Sequence, residues 1–323
     1  MAKPKITIVG LGLIGNSIGL GLVGGKRDFE VVGHDKDNNA ASQAKKMKAV
    51  DKTDWNLINA TDDADLIILA LPVSAIRSTL EALAPELQPG TVLLDTASTK
   101  GLVLAWADEL LPPGVTFVGT NPIVSSEGGG GAAARADLFD KATWAICPTS
   151  TTSEAAVKMA TDLAERLGAN PLFLDATEHD GMMAAVEHLP ATISMALISS
   201  VMGQPSWAEM RKLAGGQFEN TTQLVSEDPA VFRSAIAGNQ EHVLRWIDTY
   251  MENLQAWRDL IEAGDDDALA QAFESAVEAR HQWQAERRTG HWEEPGSPKP
   301  AKRNMMMEMF GMGRFAERRQ KKK

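Results

Sequence analysis

The stretch Val9-Gly10-Leu11-Gly12-Leu13-Ile14-Gly15 follows a short apolar run, Ile6–Val9, and leads into a segment of helical character. Glycines at this spacing between a strand and a helix have separate physical duties. The first permits a tight turn, the second lets the backbone approach a pyrophosphate, and the third lets helix and strand pack closely. The start of such a helix offers phosphates its free N–H groups and positive dipole end. Twenty positions after Gly15, Asp35 ends the next β-branched run, Val31–His34, where a carboxylate can accept hydrogen bonds from an adenosine ribose. The plainer reading is that the glycines only make turns and Asp35 only caps a strand. The coincidence of strand, loop, helix and acid favours the dinucleotide. Asp35 would repel a 2′-phosphate, which favours NAD over NADP, while Lys36 and Lys26 nearby weaken that preference. The predicted cofactor residues are therefore Gly10, Gly12, Leu13, Ile14, Gly15, Asp35 and Lys36. The loop Leu71-Pro72-Val73, after a later strand, joins them on the nicotinamide side.

Outward from this motif, short β-branched runs alternate with helical stretches, the pattern of an α/β Rossmann domain with a doubly wound parallel sheet. Strands are predicted at Ile6–Val9, Val31–His34, Leu66–Ala70, Val92–Leu94, Phe117–Val118, Trp144–Ile146 and Leu172–Leu174, with a helix over Glu154–Leu167. After Asp175 helical periodicity takes over, with helices predicted at His179–Met202, Ser206–Leu213, Pro229–Ile261 and Ala268–Gln284. The long third helix, with Val231, Ile236, Val243, Ile247, Leu254 and Leu260 broadly on one face, predicts packing against a second copy of the chain. Three parts follow: a nucleotide-binding domain over 1–175, an all-α dimerisation domain over 176–290, and a basic, Met-rich tail over 291–323.

Bulk composition narrows the class. The chain has 323 residues and a formal charge of −11, but from Lys299 onward nine Lys/Arg face two Asp/Glu, so the rest carries −18. An acidic body offers no footprint for nucleic acid. The long apolar stretch Met182–Met202 holds Glu187, His188 and Pro190, which predicts a buried helix and not a membrane span. A single cysteine, Cys147, excludes an intrachain disulfide and fits a reducing, cytoplasmic setting. No His or Cys cluster has metal-ligand spacing, so no metal is expected.

Further segments carry a resemblance. The glycine motif continues into Asn16-Ser17, and later come Asp95-Thr96-Ala97-Ser98-Thr99-Lys100-Gly101, Gly119-Thr120-Asn121-Pro122 and Ala136-Asp137-Leu138-Phe139. Glu178-His179-Asp180, His188-Leu189-Pro190 and Ser226-Glu227-Asp228-Pro229 follow. With these the chain resembles the prephenate/arogenate dehydrogenase family over residues 5 to 285. The resemblance implies oxidative decarboxylation of a cyclohexadienol on the path to tyrosine, with NAD as hydride acceptor. It implies that Ser98 supports the hydroxyl chemistry beside the cofactor. Three of the family's four functional side chains differ here. Asn121 stands for a histidine that takes the hydroxyl proton, Ala191 for a second substrate-facing histidine, and Gln223 for an arginine that holds a carboxylate.

Those changes are chemically large. Asn121 can donate a hydrogen bond to a hydroxyl or carbonyl but cannot take a proton near neutral pH. Gln223 lacks the charge-assisted bidentate grip of an arginine. His188 is the remaining candidate base, and a core histidine bonded to backbone is the alternative. Lys100 reads as a base if desolvated, or as an anchor for its loop. His179 and Asp180 read as a helix start, and Gly128–Gly131 as a loop over the mouth of the site. Ser98, Asn121 and His188 are thus the predicted catalytic residues. A dehydrogenase of the resembled kind leads. A related enzyme for another hydroxylated substrate, or a nucleotide-binding protein without catalysis, stand as alternatives.

Overall fold

The computed structural model describes residues 3–24, 27, 29–124, 130–226, 229–290 and 292. The basic tail, Lys26, Gly128, Gly129, Glu227 and Asp228 lie outside them. Among the described residues, eight strands form one sheet: β1 Lys5–Val9, β2 Glu30–His34, β3 Lys52–Thr53, β4 Leu66–Leu69, β5 Val92–Asp95, β6 Thr116–Ile123, β7 Thr143–Cys147 and β8 Asn170–Phe173. Their order is β3-β2-β1-β4-β5-β6-β7-β8, so the chain winds one way from β1 and then reverses to β4. The crevice beyond the carboxyl ends of β1 and β4 is where such a sheet takes its ligand.

Helices α1 Leu13–Val23, α2 Asn38–Met47, α3 Leu57–Thr61, α4 Val73–Leu83, α5 Gly101–Leu110 and α6 Glu154–Arg166 flank the sheet. Alternate side chains along β4 and β5 enter different layers. Ile68 and Leu94 join Ile18 and Leu163 on one face, while Ile67, Leu69 and Leu93 join Ile76, Leu80 and Val103 on the other. Burial on both faces explains why these strands read as continuous apolar runs.

The sheet departs from the parallel expectation at one pairing. β6 and β7 run antiparallel, with Asn121 opposite Ala145. Among the described residues between them there is only a short 3₁₀ turn, Gly131–Ala133, and no α-helix of the kind that usually carries a chain back to start a parallel strand. β6 is also eight residues long where two were expected, which places Asn121 and Pro122 within it. The two-residue β3 was not expected from its polar sequence.

The helical part holds α7 Ala176–Met183, a π-helical turn Ala184–His188, α8 Leu189–Met202, α9 Trp207–Leu213, α10 Gly216–Thr222, α11 Pro229–Gly238, α12 Gln240–Ala263 and α13 Asp266–Thr289. Asp175 caps α7 by accepting from the N–H groups of Thr177 and Glu178. Pro190 lacks an N–H for the α-helical bond, and just before it the Leu189 N–H reaches back five residues to Ala184, widening the turn. The continuous run Ala176–Met202 is long and apolar enough to cross a membrane by length and composition. Its polar side chains His179, Asp180 and His188 are nevertheless spent in buried hydrogen bonds to the rest of the fold.

The single helix expected over Pro229–Ile261 is two helices. The break falls at Asn239, whose buried side chain bonds Asp180, His188 and His242 instead of continuing a smooth surface. By compactness the chain divides into two units, residues 1–256 and 257–323. In the second unit, Trp257 and Phe273 meet edge-on with ring centroids 5.0 Å apart.

Candidate functional site

The glycine turn is held from several directions. Gly10 has φ of +96°, and a Cβ there would come within 2.3 Å of the Ala70 carbonyl oxygen. A Cβ on Gly15 would come 1.9 Å from the Gly10 carbonyl oxygen, so α1 can close on β1 only with glycine at that place. Gly12 is different: a Cβ there would meet no protein atom within 4 Å. That open space lies at the start of α1, whose first turn holds no acidic residue, and fits a pyrophosphate. Asn16 is buried and donates to the Leu11 carbonyl (2.6 Å). Gly131 packs on the same turn, within 3.0 Å of the Leu11 carbonyl for an added Cβ.

Asp35 does more than end β2. Its carboxylate accepts from the Leu11 N–H (2.7 Å) and the Asp37 N–H (2.8 Å), which ties the end of β2 to the glycine turn. Lys36 follows as an exposed residue.

A cleft of about 360 Å³ runs from this turn over the ends of β4, β5 and β6. Of the predicted residues, Gly12, Leu13, Ile14, Leu71, Pro72, Val73, Ser98 and Asn121 line it. His188 is fully buried behind it, with Nε2 3.5 Å from the Ser98 Oγ, at the outer edge of hydrogen bonding. Gln223 is not brought there; it lines a separate surface cleft with Ile198, Glu219 and Asn220. Ala191 is fully buried. Glu187, on the π-helical turn, lines the main cleft and is the one charged residue among its described lining.

Lys100 proves to be the anchor. Its side chain is 0% exposed, and its ammonium bonds the Asp95 carboxylate and the Thr120 carbonyl (2.7 Å). Asp95 also accepts from the Thr120 N–H (3.1 Å) and the Ala97 N–H (3.0 Å). Burial pushes the Asp95 carboxyl up, against the pull of the Lys100 ammonium and these N–H groups. The pair locks the end of β5 to β6 and so sets Ser98 against Asn121.

Sequence reasoning left His179, Asp180, Glu187 and Asn239 without a role. His179 sits with Nε2 3.2 Å from the Asn121 Nδ2 and Nδ1 2.9 Å from an Asp180 oxygen. Asp180 also accepts from the N–H groups of Lys100 (2.7 Å) and Gly101 (2.8 Å) at the start of α5. A His-Asp pair opening a helix was the available signal, but spacing alone does not say that it points at a strand 58 residues earlier.

Burial pushes the His188 ring down to about 4, with the Asp180 charge pulling the other way. The native ring is therefore neutral where an unfolded histidine, near 6.5, takes up a proton. Stability from this ring is complete above about pH 6.5 and lost as pH falls toward 4, amounting to about 3 kcal/mol. Urea unfolding at pH 7 and pH 4.5 should show a smaller pH-dependent loss for His188→Gln than for the native chain. Equal losses would mean that the ring is not desolvated.

Fold and cleft together define a dinucleotide-dependent oxidoreductase. Residues 20–172 match the nucleotide-binding domain of prephenate dehydrogenase, and residues 175–275 match its dimerisation domain. The prephenate dehydrogenase of Bacillus subtilis is 28% identical over 280 residues, covering 86% of this chain and 76% of that protein. The cyclohexadienyl dehydrogenase of Zymomonas mobilis is 28% identical over 277 residues, covering 85% and 94%. The crystal structure of prephenate dehydrogenase from A. aeolicus, in complex with hydroxyphenyl propionate and NAD+, shares the fold with a TM-score of 0.80 at 24% identity, over 87% of this chain and 99% of that one. The chain belongs to the prephenate dehydrogenase family.

Proposed function

We propose that the protein oxidises the ring hydroxyl of a prephenate- or arogenate-type cyclohexadienol with NAD. The observation that carries this reading is the single cleft in which the glycine turn at Gly12 continues into Ser98 and Asn121. NAD, when bound, accepts hydride. Gly12, Leu13 and Ile14 would hold its pyrophosphate, Asp35 its ribose, and Leu71, Pro72 and Val73 its nicotinamide end. Ser98 and Asn121 bind and orient the substrate hydroxyl. His188 lies behind Ser98 with its Nδ1 facing an Asn239 N–H (3.3 Å), and Glu187, the charged residue of the described lining, is the group we assign to take the hydroxyl proton. Loss of carbon dioxide then aromatises the ring.

The test is NADH formation by the purified chain with prephenate and with arogenate. Glu187→Gln should lower kcat by about 10²–10⁴, and unchanged turnover in that variant would remove Glu187 as the base. Asp35→Ala should erode a preference for NAD over NADP, read by calorimetric titration of both. Equal binding of the two by the native chain would refute the ribose assignment.

A second reading has its own support. The described lining of the cleft offers no cation to a substrate carboxylate. A related hydroxylated substrate without a carboxylate at that place fits this charge pattern. Failure of both family substrates in the assay, with NAD bound normally, selects it. The match of residues 175–275 to a dimerisation domain supports a homodimer, read directly by sedimentation. The buried thiol of Cys147, pushed up to about 12 by burial, is unsuited to take part in the chemistry, and its being the one cysteine of the sequence supports a cytoplasmic setting.

A further inference from the structure

We infer that Asp180 and Asn239 fix the two buried imidazoles of the site in opposite tautomers, so that Asn121 meets the substrate as a hydrogen-bond acceptor and His188 backs Ser98 as a donor. The inference rests on the hydroxyl-oxidising reading of the cleft for its consequence, but its geometry is independent of the substrate.

The argument starts at Asp180. One of its oxygens accepts from the Lys100 N–H and the other from the Gly101 N–H, groups at the start of α5 that have no partner within their own helix. Burial alone would raise this carboxyl, yet the hydrogen bonds from His179 and the two N–H groups hold it below the usual carboxylate range. An ionised carboxylate only accepts, so His179 must carry its proton on Nδ1, 2.9 Å away. The Asn121 amide nitrogen stands 3.2 Å from Nε2 and can only donate, which makes Nε2 the lone-pair side of the ring. That bond fixes which way the amide points: nitrogen toward the buried His179, carbonyl oxygen toward the cleft that Asn121 lines. An asparagine that sequence chemistry treats as a donor to the substrate becomes an acceptor for its hydroxyl.

The second ring is set by the same residue through its backbone. The Asp180 carbonyl accepts from the Asn239 Nδ2 (2.7 Å), and a carbonyl can do nothing else, so the amide orientation of Asn239 is fixed. Its oxygen accepts from the His242 Nδ1 (2.9 Å). The remaining Asn239 N–H faces the His188 Nδ1 at 3.3 Å, which leaves that nitrogen as the lone-pair side and puts the proton on Nε2 toward Ser98. Ser98 then receives a hydrogen bond from behind and turns its own hydroxyl hydrogen to the cleft. The substrate oxygen meets one acceptor and one donor. His179, Asp180 and Asn239 act as positioning residues: each works through Asn121 or His188.

The test uses the full chain with ¹⁵N-labelled histidine at pH 7.5, with resonances assigned by His179→Gln and His188→Gln. Long-range ¹H–¹⁵N spectra should show His179 protonated on Nδ1 alone and His188 on Nε2 alone. The same tautomer in both rings, or a doubly protonated His179, would overturn the inference, since a second proton on His179 would turn the Asn121 amide around. A kinetic arm reads the consequence. His179→Leu should lower kcat by at least about tenfold with the NAD dissociation constant kept within about twofold, and His179→Gln, whose side-chain oxygen can still accept from Asn121, should recover most of that loss. Equal losses in the two variants would also overturn it. Absence of turnover in the native chain would fail the proposed substrate while the spectra still decide the tautomers.

Discussion

Replacing Lys100 by methionine is expected to cost about 3–5 kcal/mol of folding stability, because it strands a fully buried carboxylate. Asp95 has no route to solvent, and its other partners are two backbone N–H groups that cannot neutralise it. The variant should therefore take up a proton on folding at neutral pH, which the native chain does not need. Combining Lys100→Met with Asp95→Asn should recover part of the loss, since an amide oxygen still accepts from Thr120. Urea unfolding of the native chain and these two variants measures this. A loss below about 1 kcal/mol in Lys100→Met would show that the pair is not what joins β5 to β6.

The second large effect separates two glycines that sequence treats alike. Gly15→Ala drives a Cβ into the Gly10 carbonyl and should lower both melting temperature and cofactor affinity. Gly12→Ala adds a Cβ where the protein has no atom, so its melting temperature should hold. The same methyl stands where the pyrophosphate approaches, and NAD affinity should fall by about a hundredfold, or roughly 2.7 kcal/mol. Calorimetric titration beside thermal unfolding distinguishes the two. Unchanged affinity in Gly12→Ala would move the phosphate site elsewhere.

The contrast shows where sequence is informative and where it is silent. Glycine spacing, the acid after the second long strand and the alternation of apolar runs are local signals, and each maps onto β1, α1, β2, β4 and β5. The reversal at β7 is not local, because direction depends on what the connecting chain does in space. Asn239 reads as one more position on a helical face until its side chain is seen facing Asp180 and His188. The Asn121–His179–Asp180 chain joins a strand to a helix start across 58 residues, and no periodicity encodes that meeting. Lys100 carried two readings in sequence, and only the depth at which it lies chooses the anchor. Gln223 marks a limit of the family resemblance: a motif position names a residue type, whereas its place beside Ile198 and Glu219 is a matter of how the helices pack.

The wide turn at Ala184–His188 works as a change of phase. An α-helix advances 100° per residue, so one residue too many in a turn rotates everything beyond it relative to everything before. Ahead of that turn, His179 aims at Asn121 on β6 and Asp180 at the start of α5. Beyond it, Ser194 aims at α10, donating to the Thr221 carbonyl (2.6 Å). A single uninterrupted rod with one helical pitch would have to compromise between those two bearings. The inserted step lets the same rod be indexed twice, once to the catalytic strands and once to the helices of its own domain.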